Sequence, residues 1–506
     1  MKTRYNKILI FGVLTVLLGS CSLNYEPISD PTELTEGKQT DTTTAVLANK
    51  AAALNQLKVL YEVFRTRQEN LHLDMLLIAD CHSDNAYVGT TGAEVVPFET
   101  NTLDGGNPDL LRDWDRYLED IAKSNVLING IEQLKAKGEI NDTEYRQLRA
   151  QGQIFRGLMM FRMARYWGSF PVITTIGKTI TSKNIHEVFP TYFPPRSTTE
   201  ECYQQIINDL EYGVENAPDF DTSDRTILTK TVAQALLAKV YAEKPKQDYS
   251  KVVKYAEDVI NTAGLRLEPE FVTLWGWNDV AKDCVKRNTS EGILEVHWTT
   301  GNGNWESWMY GRCLENYDSN FTWAKWVTPS RDILKDFQNE NDTIRLNQSV
   351  VYYDCKWSNY YPADHYPFMY KLRSGYNNVY VLRLADIILM EAEAQAYLGN
   401  LTKSAELVNM VRARVKLPRL TADKTASKDK MIKTVLHERR LELAFEGERW
   451  FDLCRNNKVE EVMNTLKTRD SGRLELKRMY NEHSYLLPIP QKAIDLNSNL
   501  QQNPGY

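Results

Sequence analysis

HERRLELAFEGERWFDLCR, from His437 to Arg455, is the stretch whose reading decides the fold. Glu438, Glu442 and Glu446 recur every fourth residue. On a helix they share one face and would repel one another unless Arg439, Arg440 or other cations pair with them. Leu441, Ala444, Phe445, Trp450, Phe451 and Leu453 supply the apolar side. A row of acids invites a catalytic reading, but acids interleaved with arginines on an amphipathic segment point to structural ion pairs. The same reading applies to Arg149, Arg156, Arg162 and Arg165.

Helical periodicity extends outward from this segment. Val232, Leu236 and Val240 repeat every fourth position, as do Ala233, Leu237 and Tyr241, before Pro245 ends the pattern. A second helix is expected from Ser250 as N-cap, burying Val252, Ala256, Val259 and Ala263 up to Gly264. The design recurs from Leu382 to Leu398, rich in Ala392, Ala394 and Ala396, with Gly399 as the turn and Val408, Val411 and Val415 on the next helix. Small residues at such positions let helix axes approach closely, as in tetratricopeptide-like pairs, although the consensus of that repeat is absent. The expected fold is mostly α, with stacked helix pairs as a scaffold.

From Leu267 to about Arg373 the character changes to Gly, Asn, Trp and Tyr, with β-like runs at Ile293–Trp298 and Val350–Trp357. This is a loop-rich insert carrying short strands on a helical frame, the kind of place where binding residues sit. Eight of the eleven tryptophans fall between 275 and 357. An indole face can lie against the C–H face of a sugar ring, while amides and carboxylates meet its hydroxyls. Gly301-Asn-Gly-Asn304-Trp305-Glu-Ser-Trp308 supplies both kinds of group. Asn304, Trp305 and Trp308, with Trp275 and Trp277, are candidate glycan-binding residues. Asn85 and Tyr87 lie in an early polar loop. Trp298 and Trp357 are expected in core strands, and Trp323 and Trp326 stay open between core and surface.

The chain begins as an address. Lys2, Arg4 and Lys7 precede an apolar run from Ile8 to Leu18, too short to span a bilayer, and Leu18-Gly19-Ser20-Cys21 resembles a lipobox. Residues 1–20 are expected to be a lipoprotein signal, Cys21 the lipidated residue, 21–44 a tether and 45–506 one large domain. No later stretch approaches the roughly 18 consecutive apolar residues of a membrane span. The formal net charge is -6, and loss of the three leader cations leaves 58 basic against 67 acidic residues, or -9. That surface argues against nucleic acid, which needs clustered Lys and Arg. Six scattered cysteines beyond Cys21 are no disulfide framework for so long a chain.

Catalytic motifs are scarce. His72, Asp74, Asp80, Cys81, His82 and Asp84 have ligand types that suit zinc, but their spacing fits neither paired CxxC knuckles nor HExxH. Asp80, Asp84 and Asn85 are instead expected to cap backbone groups at a helix end that turns into a surface loop. Gly177-Lys178-Thr179 lacks the upstream glycine of a phosphate loop, and no GxSxG elbow occurs. Neither a metal nor another cofactor is expected.

The His437–Arg455 stretch resembles the late signature of SusD/RagB proteins. LLPIPQKAIDLNSNLQQNPGY from Leu486 to Tyr506, VLRLADIILMEAEA from Val381 to Ala394 and RAQGQIFRGLMMFRMARYWGSFPV from Arg149 to Val172 are similar to further family motifs, in the same order. The resemblance implies an α-helical fold of tetratricopeptide-like pairs, a glycan-binding face to which the early polar loop with Asn85 and Tyr87 contributes, and a lipid anchor on the outer membrane of a Bacteroidetes-type bacterium. It also implies a SusC-like TonB-dependent barrel as partner and no enzymatic activity. Two alternatives stay open: peptide capture, as in RagB-like relatives, and a glycoside hydrolase, which needs only two suitably spaced carboxylates.

Overall fold

The computed structural model describes residues 47–298, 303 and 325–506. Within the larger of its two compact units, 45–176 with 193–506, the frame is a succession of helices. They are α1 (Lys50–Thr66), α2 (Pro108–Ala136), α3 (Asp142–Trp167), α4 (Thr199–Asn216), α5 (Lys230–Ala242) and α6 (Tyr249–Ile260). After the insert come α7 (Arg331–Asn339), α8 (Leu384–Tyr397), α9 (Leu401–Arg414), α10 (Lys428–Glu442) and α11 (Arg449–Arg455). Each helix from α1 to α6 packs on the next, α6 packs on α8, and α8 packs on both α9 and α10. The mostly helical architecture expected from the periodicity is the one observed. No described helix is long and apolar enough to cross a membrane.

Local chemistry sets the helix boundaries. Asn141 with Glu144, and Thr198 with Glu201, form capping boxes that satisfy the first backbone N–H groups of α3 and α4. The start of α6 is capped by the Asp248 side chain, two residues before the expected Ser250. Small residues bring the helices close: a Cβ on Gly213 of α4 would come within 2.5 Å of Ile154 on α3. Ala392, Ala394 and Ala396 of α8 are fully buried for the same reason, because α8 is covered by neighbours on more than one side.

Among the described residues, strands are short and occur as four antiparallel pairs. These are β1 (Ala86–Tyr87) with β5 (Thr328–Pro329), β2 (Trp277–Asn278) with β3 (Asp283–Cys284), β4 (Gly292–Val296) with β8 (Val379–Arg383), and β6 (Val350–Tyr353) with β7 (Tyr366–Met369). β4 is buried throughout and seats the insert on the helical frame. The smaller unit, in its described part 177–192, is a short turn-and-helix segment in which Asn184 donates to the Thr179 carbonyl at 3.0 Å and Tyr192 donates to that of Lys178 at 2.6 Å.

The signature does not form one continuous helix. α10 stops at Glu442, and Phe445 and Gly447 take positive φ values of 61° and 80° in the turn before α11. Glu446 therefore leaves the helical face on which the spacing places it. It nevertheless meets cations: Arg383 reaches Glu446 at 2.6 Å, Glu442 at 2.7 Å and Glu291 at 2.8 Å. Glu438 pairs with Arg345 at 2.7 Å and with Arg412 at 2.8 Å. Lys371 also pairs with Glu446 at 2.5 Å. The neighbouring arginines in sequence point elsewhere. Arg439 binds Asp452 and Asp386 at 2.9 and 2.8 Å, and Arg440 binds Asp332 at 2.9 Å. Burial alone would push the Glu442 carboxyl up, but Arg414, Arg383 and Arg345 outweigh it and hold it well below the usual carboxylate range. Among the earlier arginines, Arg156 binds Asp209 at 2.7 Å and Arg165 binds Glu448 at 2.9 Å.

Candidate functional site

The expected binding residues separate into three groups. Asn304, Trp305 and Trp308 lie outside the described residues, as do Cys21 and Trp323. Asn85, Tyr87 and Trp275 are interior, which corrects their expected place on solvent-facing loops. Asn85 is 1% exposed, donates to Asp80 at 2.8 Å and accepts from Arg440 at 3.0 Å, so its amide is used in holding the end of the 69–81 helical segment to α10. Tyr87 sits in β1, its ring stacked on Tyr360 at 4.4 Å and its hydroxyl donating to Asp470 at 2.5 Å. Trp275 is 3% exposed beside Phe271, with the Lys371 ammonium 4.5 Å from its ring centroid. Asn85 and Tyr87 find hydrogen-bond partners in the interior and Trp275 finds apolar and cationic neighbours, so burial is the lower-energy outcome.

Trp277 is the exception. Two residues beyond Trp275 the chain enters the β2–β3 hairpin, and Trp277 is half-buried with its indole N–H donating to Asp279 at 3.2 Å. Its ring lies nearly parallel to that of Tyr376, at an interplanar angle of 15° and a centroid distance of 6.4 Å. Arg287 fixes this arrangement. Its guanidinium donates to Asp283 at 2.6 Å, to the Trp298 carbonyl at 2.5 Å, to Asn378 at 3.2 Å and to the Tyr376 carbonyl at 3.3 Å. Gly303 lies against the same rim: a Cβ there would come within 3.2 Å of the Gly375 carbonyl and of the Tyr376 ring. The hairpin tip is open to solvent, with Val280 97% exposed and Asp279 and Lys282 forming an exposed pair at 3.5 Å. Rings, amides and carboxylates thus converge near Trp298, just beyond the end of β4.

Tyr376 escaped sequence reasoning because it lies three residues beyond the Arg373 boundary of the insert. The signal that could have found it is Gly375-Tyr376-Asn377-Asn378, which shares the glycine, asparagine and aromatic composition of 301–308. Trp298 is fully buried as expected but lies two residues beyond the end of β4 and not in a strand, and Trp357 follows β6 outside any strand and is half-buried with Lys325 3.9 Å from its ring centroid. Trp326 is half-buried against the main core. The His72–Asp84 cluster is interior rather than surface-lining: His72 bonds the Phe64 carbonyl at 2.8 Å, His82 bonds that of Phe98 at 2.6 Å, and Asp84 pairs with Arg449 at 2.7 Å. Asp80 does meet backbone groups, the N–H of Phe445 at 3.2 Å and of Gly447 at 3.0 Å, across the fold in the signature turn. Cys81, Cys202, Cys284, Cys355 and Cys454 are free thiols, and Cys313 is outside the described residues.

Comparison with known proteins settles the family. A model described as the SusD family matches residues 352–506, and one described as "Starch-binding associating with outer membrane" matches 36–242. The chain belongs to the SusD/RagB family. A SusD-like protein of Formosa agariphila is 26% identical over 99% of both chains, and one of Bacteroides ovatus is 23% identical over 88% of this chain and 82% of its own length. The solved structure of a laminarin-binding SusD-like protein superposes with a TM-score of 0.70 at 22% identity, over 90% of this chain and 100% of that one. A surface glycan-binding protein from Bacteroides fluxus superposes with a TM-score of 0.73 at 18% identity, over 91% and 100%. These structural likenesses establish the SusD-like fold.

Proposed function

We propose that the protein is a non-catalytic receptor that captures an oligosaccharide at the cell surface, through a site on the rim of Trp277 and Tyr376. The observation that carries this reading is the nearly parallel pair of half-buried rings, braced by Arg287 and adjoined by Gly303. Parallel faces suit the flat apolar side of a sugar ring, and Asp279 with the amide-rich neighbours meets hydroxyls. The glycan-binding relatives and neighbours support a surface carbohydrate-binding role. Asn304, Trp305 and Trp308, close to Gly303 in sequence, are further candidate contacts for the glycan. Outer-membrane association accords with the matched family model, and a lipid on Cys21 would hold the protein there. Captured glycan would pass to a SusC-like TonB-dependent barrel.

Calorimetry against a glycan panel that includes starch and laminarin tests the binding, with Trp277→Ala as the informative variant. Loss of the stacking face should weaken the tightest glycan by roughly 1–3 kcal/mol, or about five- to 150-fold. Appearance of new reducing ends during incubation would replace the receptor reading with a hydrolase. Cys21→Ala should abolish fatty-acid labelling, and recovery of a large β-barrel with the tagged protein from native membranes tests the transporter partnership.

A further inference from the structure

Residues 177–192 turn most of their apolar surface outward. Ile180, Ile185, Phe189 and Tyr192 are 39%, 42%, 49% and 47% exposed, so this stretch holds four of the sixteen large exposed apolar side chains among the described residues. Of its aliphatic side chains only Val188 is buried. The backbone is nevertheless pinned. Asn184 accepts from the Thr181 N–H at 2.7 Å, and the single turn Ile185–Val188 runs directly into the 3-10 turn Phe189–Tyr192. Apolar groups gathered so densely on a surface mark a place of contact.

The chain itself supplies an occupant of matching chemistry. Residues 23–44 carry Leu23, Tyr25, Ile28 and Leu34, with Pro27 and Pro31 between them. Proline lacks an N–H and turns the residue before it away from helix, so this stretch suits an extended strap. Charge agrees. Residues 23–44 hold five acids against Lys38, a formal -4, whereas 177–192 hold Lys178 and Lys183 against Glu187, a formal +1. Lys183 is exposed with no hydrogen-bond or ion-pair partner among the described residues. Lys178 meets Glu187 at 3.6 Å with both side chains exposed, a pair that water largely replaces.

The two stretches also leave from neighbouring points. Within the larger unit Leu47 packs on Gly130 of α2, where an added Cβ would come within 2.5 Å of it. Asn125 and Asn129 of the same helix donate to the Ile173 and Thr174 carbonyls at 2.9 and 3.1 Å. Residues 35–44 then give Leu34 roughly 30 Å of reach. A link so short places the strap at an effective concentration of about the millimolar range, where weak contacts suffice.

We propose that residues 23–34 dock as an extended strap on the outward face of 177–192. Leu23, Tyr25, Ile28 and Leu34 cover its exposed apolar side chains, and the acids of the strap lie toward Lys178 and Lys183. The amino-terminal stretch is then a clasp and not a free leash, and a lipid on Cys21 would sit two residues from its docked part. This holds whether or not Cys21 is acylated or the rim binds sugar.

The test is hydrogen exchange on purified protein spanning residues 22–506. Exchange of 23–34 should be slower than that of 35–44, at any protein concentration. The triple variant Tyr25→Ser, Ile28→Ser, Leu34→Ser should speed exchange of both 23–34 and 185–192 by roughly tenfold, with the thermal melt unchanged. Ile185→Asp with Phe189→Asp should free 23–34 to the same extent, and the strap variant decides the matter if those substitutions disturb folding. Lys183→Glu, like added salt, should have a smaller effect of about two- to fivefold. Exchange of 23–34 as fast as that of 35–44, or 185–192 unmoved by the triple variant, overturns the proposal. So does protection that grows with concentration alongside a dimer in sedimentation, which gives the face to a second copy. Protection of 185–192 gained only with phospholipid vesicles gives it to a membrane and overturns the proposal equally.

Discussion

The signature region and the β2–β3 rim are built from residues that look equally functional in a list, yet one turns charge inward and the other turns aromatic surface outward. Around α10, Glu291, Glu438 and Glu442 are at most 1% exposed and share Arg345, Arg383, Arg412 and Arg414. At the rim, Trp277 keeps one side in solvent, while Trp275 two residues earlier is sealed. Chemical type thus says what a side chain can do. Its neighbours decide whether a ligand can reach it.

The sharpest way to break this comparison is Glu442→Gln. The substitution leaves Arg383, Arg414 and Arg345 short of a buried counter-charge, and removing one member of a buried network costs about 3–5 kcal/mol. A urea unfolding midpoint should record the loss directly. A change below about 1 kcal/mol would mean that the region is wetter and more yielding than its contacts indicate.

Trp275→Ala and Trp277→Ala form the next test, because the two rings differ only in place. Emptying the Trp275 position should cost about 3–5 kcal/mol of stability. Trp277→Ala should cost less than about 1 kcal/mol, since part of its surface stays in water, and should act on glycan affinity instead. Thermal melts paired with calorimetry separate the two, and reversed effects would exchange the roles assigned to the rings.

A third region sharpens the comparison by contrast. Asp74 and Asp113 are buried together and share one close guanidinium, that of Arg112. Burial pushes the Asp113 carboxyl up to about 7, although Arg112 opposes the shift. The folded protein then holds a proton that the unfolded chain, with an ordinary carboxyl near 3.8, has released. The associated stability is fully present below about pH 4 and is lost as pH rises through about 7. Asp113→Asn mimics the protonated form. Its stability relative to the native protein should rise by on the order of 1–2 kcal/mol between pH 5 and pH 8. A difference that is flat across that range would show that Arg112 keeps the carboxyl ionised.

The smallest expected effect belongs to an ion pair in an exposed place. Lys430 and Asp423 meet at 2.5 Å with side chains 50% and 82% exposed. Lys430→Ala should change stability by no more than about 0.5 kcal/mol, because water already solvates both groups. An effect comparable to that of Glu442→Gln would undo the claim that burial, rather than pairing, separates these regions.

By itself the sequence determined the helical frame, the two hairpins at 230–260 and 384–414, the short strands at β4 and β6, and the structural use of the signature charges. Each of these is a local period or a local excess of partners, which backbone geometry converts directly into structure. The family resemblance was legible for the same reason, since its motifs are continuous stretches. Only the tertiary structure decided that Asn85 and Tyr87 turn inward, that Glu446 leaves its helix yet meets Arg383, and that Tyr376 joins Trp277. Those outcomes depend on partners far away in the chain, Arg440 for Asn85 and Asp470 for Tyr87, whose approach no local pattern records. A polar or aromatic side chain is neutral between core and surface until such a partner arrives, and its burial follows from satisfying that hydrogen bond rather than from its own character.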